Sequence, residues 1–238
     1  MKILVYADEG VSSFTLKETL KTFGTLSTHV KTINHEKLLS EDWEIQTDLL
    51  IFPGGRDIPY DRKLKGKGIE KIRDFVKQGG SFLGICAGAY FASKEVVFEK
   101  GTPLEVHEKR DLCFFPGKAI GTLYPSKHFT YQSHQGAQAS LIVCKESHMH
   151  LYYNGGCTFD KAEKFPSVTV IAQYGDAENQ PAIIHCVVGQ GSVLLSGVHF
   201  EVCAQSLTKE KCDPEIIVKL NASEIKRQNL ISTLLKYL

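Results

Sequence analysis

The first half of the chain alternates short apolar runs with apolar residues at helical spacing. The apolar runs predict buried strands at residues 2–6, 29–33, 48–52 and 81–85. Helical patterns stand between them, and Gly24 and the pair Gly79-Gly80 supply end signals for two of the predicted helices. Strands that alternate with helices build a parallel sheet with helices on both faces. The pattern therefore predicts an α/β fold.

The second half, from about Val96, has a different pattern of short apolar runs separated by turns. These runs predict a mainly β region, with strands at residues 112–115, 119–123, 141–144, 151–153, 168–174, 182–188 and 192–196. Gly189-Gln190-Gly191 joins the last two runs as a hairpin connection. This hairpin delivers the chain to Gly197-Val198-His199.

A final helix is predicted from about Asn221. Asn221 and Glu224 stand three positions apart, as in a capping box. The apolar stripe of this predicted helix consists of Ile225, Ile231, Leu234, Leu235 and Leu238.

Charge and composition narrow the classes of partner. The 238 residues carry 28 Lys and Arg against 27 Asp and Glu, a net charge of +1 that provides no field to attract nucleic acid or an anionic membrane. The N-terminus lacks the pattern of a secretory signal, and no apolar run reaches the roughly 20 residues of a spanning helix. The 7 cysteines include no CxxC pair. We expect a soluble cytoplasmic protein with reduced thiols.

Candidate chemistry begins with Cys86 in the segment Gly84-Ile85-Cys86-Ala87-Gly88. This G-x-C-x-G pattern follows a predicted strand and precedes a helix-compatible segment at residues 89–93, which is the context of a nucleophile on a sharp turn. The flanking glycines leave room for neighbouring backbone. The helix amides favour a thiolate, and the amide of Ala87 is a candidate donor to an oxyanion.

A cysteine nucleophile needs a base, and His199 is the candidate. It follows the predicted strand at residues 192–196 and stands two positions before Glu201, so both side chains can project to one side of an extended segment. We expect His199 to accept the thiol proton and Glu201 to orient the ring. By itself, a His-x-Glu pair occurs often on protein surfaces without a role.

The turn Pro53-Gly54-Gly55 ends the third predicted strand. In a parallel sheet this turn would lie beside the nucleophile, where the amides of Gly54 and Gly55 could complete an oxyanion hole. Taken alone, the segment fits an ordinary strand-ending turn equally well. Asp57 and Tyr60 follow in the same loop and are candidate substrate contacts.

Three segments, LIFPGG (50–55), GICAGAY (84–90) and GVHFE (197–201), resemble the oxyanion, nucleophile and His-x-Glu motifs of class I glutamine amidotransferases, in the same order. More narrowly, FPGGRDIPY (52–60), YYNGG (152–156) and VGQGSVLLSGVHFE (188–201) resemble the N-terminal domain of eukaryotic biotin-protein ligases. The resemblance covers residues 1–205, and residues 206–238 are predicted to form a helical extension packed on the same domain.

The resemblance implies a flavodoxin-like, doubly wound, mostly parallel sheet with added β-hairpins in the second half. It implies roles for Cys86, His199 and Glu201 as a catalytic triad, with Tyr90 and Asn154 as further substrate contacts. It also implies a small-molecule substrate, no cofactor, and a biotin-ligase-type or synthase protein as partner.

Two departures limit the resemblance. Phe200 stands where amidotransferases usually have proline, which loosens the relative placement of His199 and Glu201. The Gly-Arg-rich nucleotide loop of biotin-protein ligases does not occur in these residues, so we expect the chain alone not to biotinylate a protein.

Two other segments carry polar side chains, and the motifs allow more than one function. His148 and His150 could share a strand face, but no carboxylate or Cys stands at ligand spacing, so no metal site is predicted. The segment 131–136 is interpreted as a surface loop, although it is polar and aromatic enough to line a pocket. A thiol amidase is the leading functional hypothesis; a protease- or deglycase-like thiol enzyme and a non-catalytic binding domain with a relic triad remain alternatives.

Overall fold

The computed structural model describes residues 1–124, 129–210 and 212–238. In these residues the strands are β1 (Ile3–Tyr6), β2 (Val30–Ile33), β3 (Leu49–Phe52), β4 (Ser81–Ile85), β5 (Ser93–Phe98), β6 (Val106–Lys109), β7 (Phe115–Gly121), β8 (Gln138–Cys144), β9 (Ser147–Tyr153), β10 (Thr158–Phe159), β11 (Val168–Tyr174), β12 (Gln180–Val188) and β13 (Gly191–Ser196). The helices are α1 (Ser13–Gly24), α2 (His35–Ser40), α3 (Asp57–Leu64), α4 (Lys67–Lys77), α5 (Ala87–Phe91), α6 (Ala204–Leu207), α7 (Pro214–Ala222) and α8 (Glu224–Leu234). Single 3-10 turns occupy Trp43–Gln46, Ala162–Lys164 and Leu235–Tyr237.

A nine-stranded sheet forms the centre of the fold, in the order β2-β1-β3-β4-β13-β12-β11-β8-β9. The strands from β2 to β13 in this order pair in parallel, and those from β12 to β9 add on by antiparallel pairing. The predicted flavodoxin-like parallel sheet with added hairpins is confirmed. The remaining strands form a four-stranded sheet in the order β10-β7-β5-β6.

Apolar residues are buried on both faces of the central sheet. Along β3, Leu50 and Phe52 join one core cluster while Leu49 and Ile51 join the other, because successive strand residues point to opposite faces. Helix α4 packs on the first cluster, and helices α1 and α8 pack on the second. No helix among the described residues is long and apolar enough to cross a membrane.

The register of three neighbouring strands determines where the candidate site forms. Phe52 of β3 pairs with Gly84 of β4, and Ile85 of β4 pairs with Ser196 of β13. These parallel strands therefore end side by side at the same edge of the sheet. The turns that follow them, which carry Gly54, Cys86 and His199, are brought together by this register, as the sequence predicted for the turn after β3.

Three local predictions were wrong. Asn221 lies inside α7 and does not begin a helix, because Asp213 caps α7 and Pro214 occupies its first turn. The predicted apolar face of the last helix is also wrong in part, because Ile225 is 77% exposed, although Ile231 and Leu234 are buried. In addition, residues 112–114 form a loop in which Leu112 and Phe114 are buried, and β7 begins at Phe115.

Candidate active site

Cys86 occupies a sharp turn between β4 and α5. Its backbone has φ 50 and ψ −103, a conformation that side-chain-bearing residues rarely adopt and that costs on the order of 1–3 kcal/mol. The turn places Cys86 just before a one-turn helix that begins at Ala87, earlier than the predicted 89–93. The first amides of a helix lack intrahelical acceptors, so the Ala87 N–H is available to a ligand.

His199 and Glu201 lie on the segment that leaves β13. The His199 backbone N–H donates to the Tyr152 carbonyl at 2.8 Å, which fixes this segment against β9. The ring Nδ1 of His199 and Oε1 of Glu201 are 2.8 Å apart. Since Nδ1 is engaged by the carboxylate, Nε2 is the ring atom left for a thiol. Both side chains are buried.

The electrostatics of this pair favour a charged imidazole. Burial by itself disfavours the imidazolium, but the Glu201 carboxylate and the neighbouring Cys86 outweigh it and raise the pKa of His199 to about 10. Oε2 of Glu201 is buried without a hydrogen-bond partner among the described residues. The Glu201 charge is therefore compensated mainly by His199. The sulfur of Cys86 lies 3.9 Å from the carbonyl oxygen of Asn154, to which the thiol donates.

The glycine turn after β3 packs directly on the histidine. A Cβ at Gly54 would lie 2.6 Å from Cε1 of His199, so a side chain there would displace the ring. The carbonyl of Gly54 accepts from the Thr15 hydroxyl at 2.8 Å and from the Ser12 amide at 3.0 Å. In the described residues the Gly55 amide has no backbone acceptor, and Gly55 lines the same cavity as Cys86.

A cavity of about 720 Å³ opens at the sulfur. Its lining includes Cys86, Ala87, His199 and Gly55 from the predicted site. It also includes three of the predicted substrate contacts, Asp57, Tyr90 and Asn154. The strand-end register thus assembles residues that are far apart in the sequence around one space.

The predicted contact residues differ in what they offer to a ligand. Nδ2 of Asn154 donates to the Ser133 carbonyl at 2.8 Å, whereas Oδ1 is buried without a partner among the described residues. Nε of Arg110 donates to Asp57 at 2.8 Å, and burial nevertheless raises the pKa of Asp57. The hydroxyl of Tyr90 donates to the Gly156 carbonyl at 3.0 Å.

Tyr60 is not brought to the cavity. It is fully buried, and its hydroxyl donates to the Pro53 carbonyl at 3.2 Å beneath the glycine turn. Burial raises the pKa of Tyr60 well above its ordinary value. Tyr60 therefore supports the turn from inside, and the prediction that it contacts substrate is corrected.

Sequence reasoning missed part of the lining. Tyr131, Ser133 and His134, which were assigned to a surface loop, line the cavity. The Arg56 guanidinium carbon lies 4.9 Å from the centre of the Tyr131 ring. Nδ1 of His134 is 2.6 Å from the Tyr152 hydroxyl, and burial lowers the pKa of His134. The mixture of aromatic and polar residues in the segment 131–136 was the sequence feature that could have indicated a cavity lining.

No group of three or more His, Cys, Asp or Glu side chains with the geometry of a metal site occurs in the described ranges. All seven cysteines are free thiols.

The chain is similar to known proteins in both sequence and structure. The profile of the family described as "Biotin-protein ligase, N terminal" matches residues 1–238. The chain is 40% identical over 219 residues to the biotin-protein ligase of Schizosaccharomyces pombe, covering 86% of this chain and 34% of the ligase. It thus spans about a third of that relative. An uncharacterized protein of Chlamydia muridarum is 39% identical over 247 residues, covering 98% of this chain and 95% of the relative.

Two solved structures share the architecture. The crystal structure of a glutamine amidotransferase aligns with a TM-score of 0.58 and 21% identity, covering 93% of this chain and 100% of that one. The structure of PurLQS from Thermotoga maritima aligns with a TM-score of 0.60 and 13% identity, covering 94% and 98% of the two chains. At these identities the likeness concerns the fold.

Proposed function

The chain belongs to the biotin-protein ligase N-terminal family, and from this premise we propose that it is a cysteine-nucleophile amidase or hydrolase acting on a small carboxamide or a related carbonyl. One observation carries the proposal: the Glu201 carboxylate engages Nδ1 of His199 at 2.8 Å in the cavity wall that also contains Cys86. The ring is thereby oriented with Nε2 free to exchange a proton with the thiol.

The reaction follows from these three residues. His199 accepts the Cys86 proton, and the thiolate attacks the carbonyl carbon to form a C–S bond. Collapse of the tetrahedral intermediate breaks the C–N bond, and His199 returns the proton to the departing amine. His199 then takes a proton from water, the resulting hydroxide attacks the thioester, and the acid product leaves as Cys86 regains its proton. The amides of Gly55 and Ala87 would donate to the oxyanion in both steps.

Asn154 supports a carboxamide as the substrate class. Its Oδ1 is a buried acceptor without a partner among the described residues, and Asn154 lines the cavity. A buried acceptor gains about 1–3 kcal/mol when a donor reaches it, and the N–H groups of a primary carboxamide are such donors. Gly155 and Gly156 hold Tyr90 beside it through their carbonyls.

The test is covalent labelling with a chloroketone analogue of glutamine, followed by peptide mass mapping and an assay for ammonia released from carboxamides. We expect labelling at Cys86, and we expect Cys86→Ser to abolish both labelling and ammonia release. Cys113→Ser is the matched control, because Cys113 is a half-buried thiol outside the cavity. Ammonia release that persists in Cys86→Ser would refute the proposal.

Two other outcomes of these assays would assign the chain a different role: a binding domain or a partner-dependent enzyme. If carboxamides protect Cys86 from alkylation without turnover, the chain is a binding domain with a relic triad. If turnover rises only when a biotin-ligase-type or synthase protein is added, the ammonia or acyl product passes to that partner. Either role would be exercised in the cytoplasm on a small molecule, without a cofactor, nucleic acid or membrane.

A further inference from the structure

A second thiol outside the active-site cavity has a cationic partner. The Lys21 ammonium on α1 lies 3.1 Å from the sulfur of Cys203, at a sequence separation of 182 residues. The same ammonium donates to the Ser206 hydroxyl at 3.1 Å, and that hydroxyl is 3.2 Å from the Cys203 sulfur. Lysine, serine and cysteine thus form a closed triangle of polar contacts.

The surroundings of this triangle favour the thiolate. Burial by itself raises the pKa of a thiol, but the hydrogen bonds from Ser206 and Lys21 outweigh it, and the pKa of Cys203 is lowered. Glu18 is the opposing charge, with Oε2 at 3.7 Å from the sulfur and 3.5 Å from the Cys203 amide. Cys203 is half-buried, so a reagent can reach it.

A cavity of about 570 Å³ adjoins the sulfur and shares no lining residue with the active-site cavity. Lys21, Arg227 and Glu224 supply its charged lining, and Arg227 is already engaged by Glu224 at 2.6 Å. The remaining polar lining includes the amide side chains of Gln205, Asn221 and Gln228. These groups donate and accept hydrogen bonds, as a peptide-like ligand requires.

We propose that Cys203 is a second nucleophilic site, which forms a mixed disulfide with a low-molecular-weight, peptide-like disulfide. The Cys203 thiolate attacks one sulfur of the disulfide, a new S–S bond forms, and the original S–S bond breaks. The released thiolate takes a proton from water, and Lys21 stays protonated throughout. The adjoining cavity provides the room that the adduct needs beside the sulfur.

Glutathione disulfide is the probe, used on the full chain in a Cys86→Ser background so that the result is independent of the proposed function. We expect a mixed disulfide at Cys203, located by peptide mass mapping. Cys113 serves as the internal control, because it is also half-buried and burial raises its pKa without a hydrogen-bonded cation. Cys203 should react faster than Cys113 by at least about threefold, the rate change that one pKa unit produces.

Substitutions of Lys21 test how much its ammonium group contributes to the reactivity of Cys203 while the cavity is retained. Lys21→Met should slow the reaction of Cys203 by about threefold or more and leave Cys113 unchanged, whereas Lys21→Arg should retain the rate. Cys203→Ser should abolish the adduct. Circular dichroism of each variant controls for folding. Equal rates at Cys203 and Cys113, or a Lys21→Met variant that reacts as fast as its parent, would overturn the proposal.

Discussion

Cys86 and Cys203 are two thiols with nearby proton-binding partners, and the difference between those partners separates their chemistry. Cys86 is 5% exposed and shares its cavity with a histidine. The raised pKa of His199 depends in part on Cys86, so the ring can give up its proton once the sulfur has lost its negative charge in a bond to substrate. Cys203 is half-buried and faces a lysine, which stabilises negative charge but remains protonated at neutral pH. A histidine partner therefore suits turnover, while a lysine partner suits a single exchange.

Removal of the histidine should have the largest effect. In His199→Ala, we expect the alkylation rate of Cys86 at neutral pH to fall by about 100-fold or more, the lower range for loss of a positioned base. The rate at Cys203 should not change, because His199 does not line its cavity. Timed reaction with iodoacetamide and peptide mapping measures both rates in one sample. Equal slowing of both thiols would contradict a specific role of His199 at Cys86.

The titration of His199 tests whether Glu201 and Cys86 raise the pKa of its ring. We expect its ring to titrate at about 10 in the native protein, because Glu201 and Cys86 outweigh the effect of burial. Cys86→Ala and Glu201→Gln should each lower that pKa, measured by nuclear magnetic resonance of the labelled ring. His134 is the control, since burial keeps its pKa below the ordinary value of 6.5. A His199 pKa unaffected by both substitutions would contradict the assigned contacts.

The same raised pKa predicts how stability depends on pH. A group whose folded-state pKa is raised stabilises the fold fully below its unfolded pKa and loses that contribution as pH rises through the folded value. For His199 this window runs from about 6.5 to about 10. Urea unfolding across the window should show a steeper fall in unfolding free energy for the native protein than for His199→Gln. Parallel curves would rule out a raised pKa.

Two glycine substitutions test whether the Cys86 site depends on close packing. Gly54→Ala places a Cβ 2.6 Å from His199 Cε1, and such overpacking costs about 1–3 kcal/mol in unfolding free energy. Cys86 labelling should slow with it, while the Cys203 rate stays unchanged. Gly24→Ala is the matched control, because a Cβ there meets nothing within 4 Å, and we expect a gain of up to about 1 kcal/mol. Equal stabilities for the two variants would contradict this packing argument.

The smallest expected effect concerns the link between the two sites. Thr22 lines the second cavity and donates to the Glu201 carbonyl at 2.8 Å. Thr22→Val should lower the unfolding free energy by about 1 kcal/mol, the usual value of one hydrogen bond, and should slow Cys86 labelling slightly. Thr25→Val is the control, because its hydroxyl donates to the Thr22 carbonyl one turn earlier and not to the Glu201 carbonyl. Identical effects on Cys86 would show that the sites are not linked through Thr22.

Phe200 separates His199 from Glu201, at the position where the resembling motif usually has proline. Without proline, the sequence left the placement of His199 and Glu201 open. The structure shows that contacts from elsewhere supply the restraint: Nη1 of Arg227 donates to the Phe200 carbonyl at 2.8 Å, and Arg227 is itself held by Glu224. The arginine comes from α8, in the segment predicted only as a helical extension.

By itself, the sequence determined the short buried strands, the sharp turn at Cys86 and the His-x-Glu spacing, because these depend on residues within a few positions of one another. The start of the final helix was misplaced because Asn221 and Glu224 have the spacing of a capping box, whereas Asn221 lies inside α7, which Asp213 caps, and α8 follows after Ser223. Only the tertiary structure decided the Arg56–Tyr131 contact and the Lys21–Cys203 pair. Such contacts join residues that are far apart along the chain, and they exist only once the sheet register and the packing of α1 bring them together.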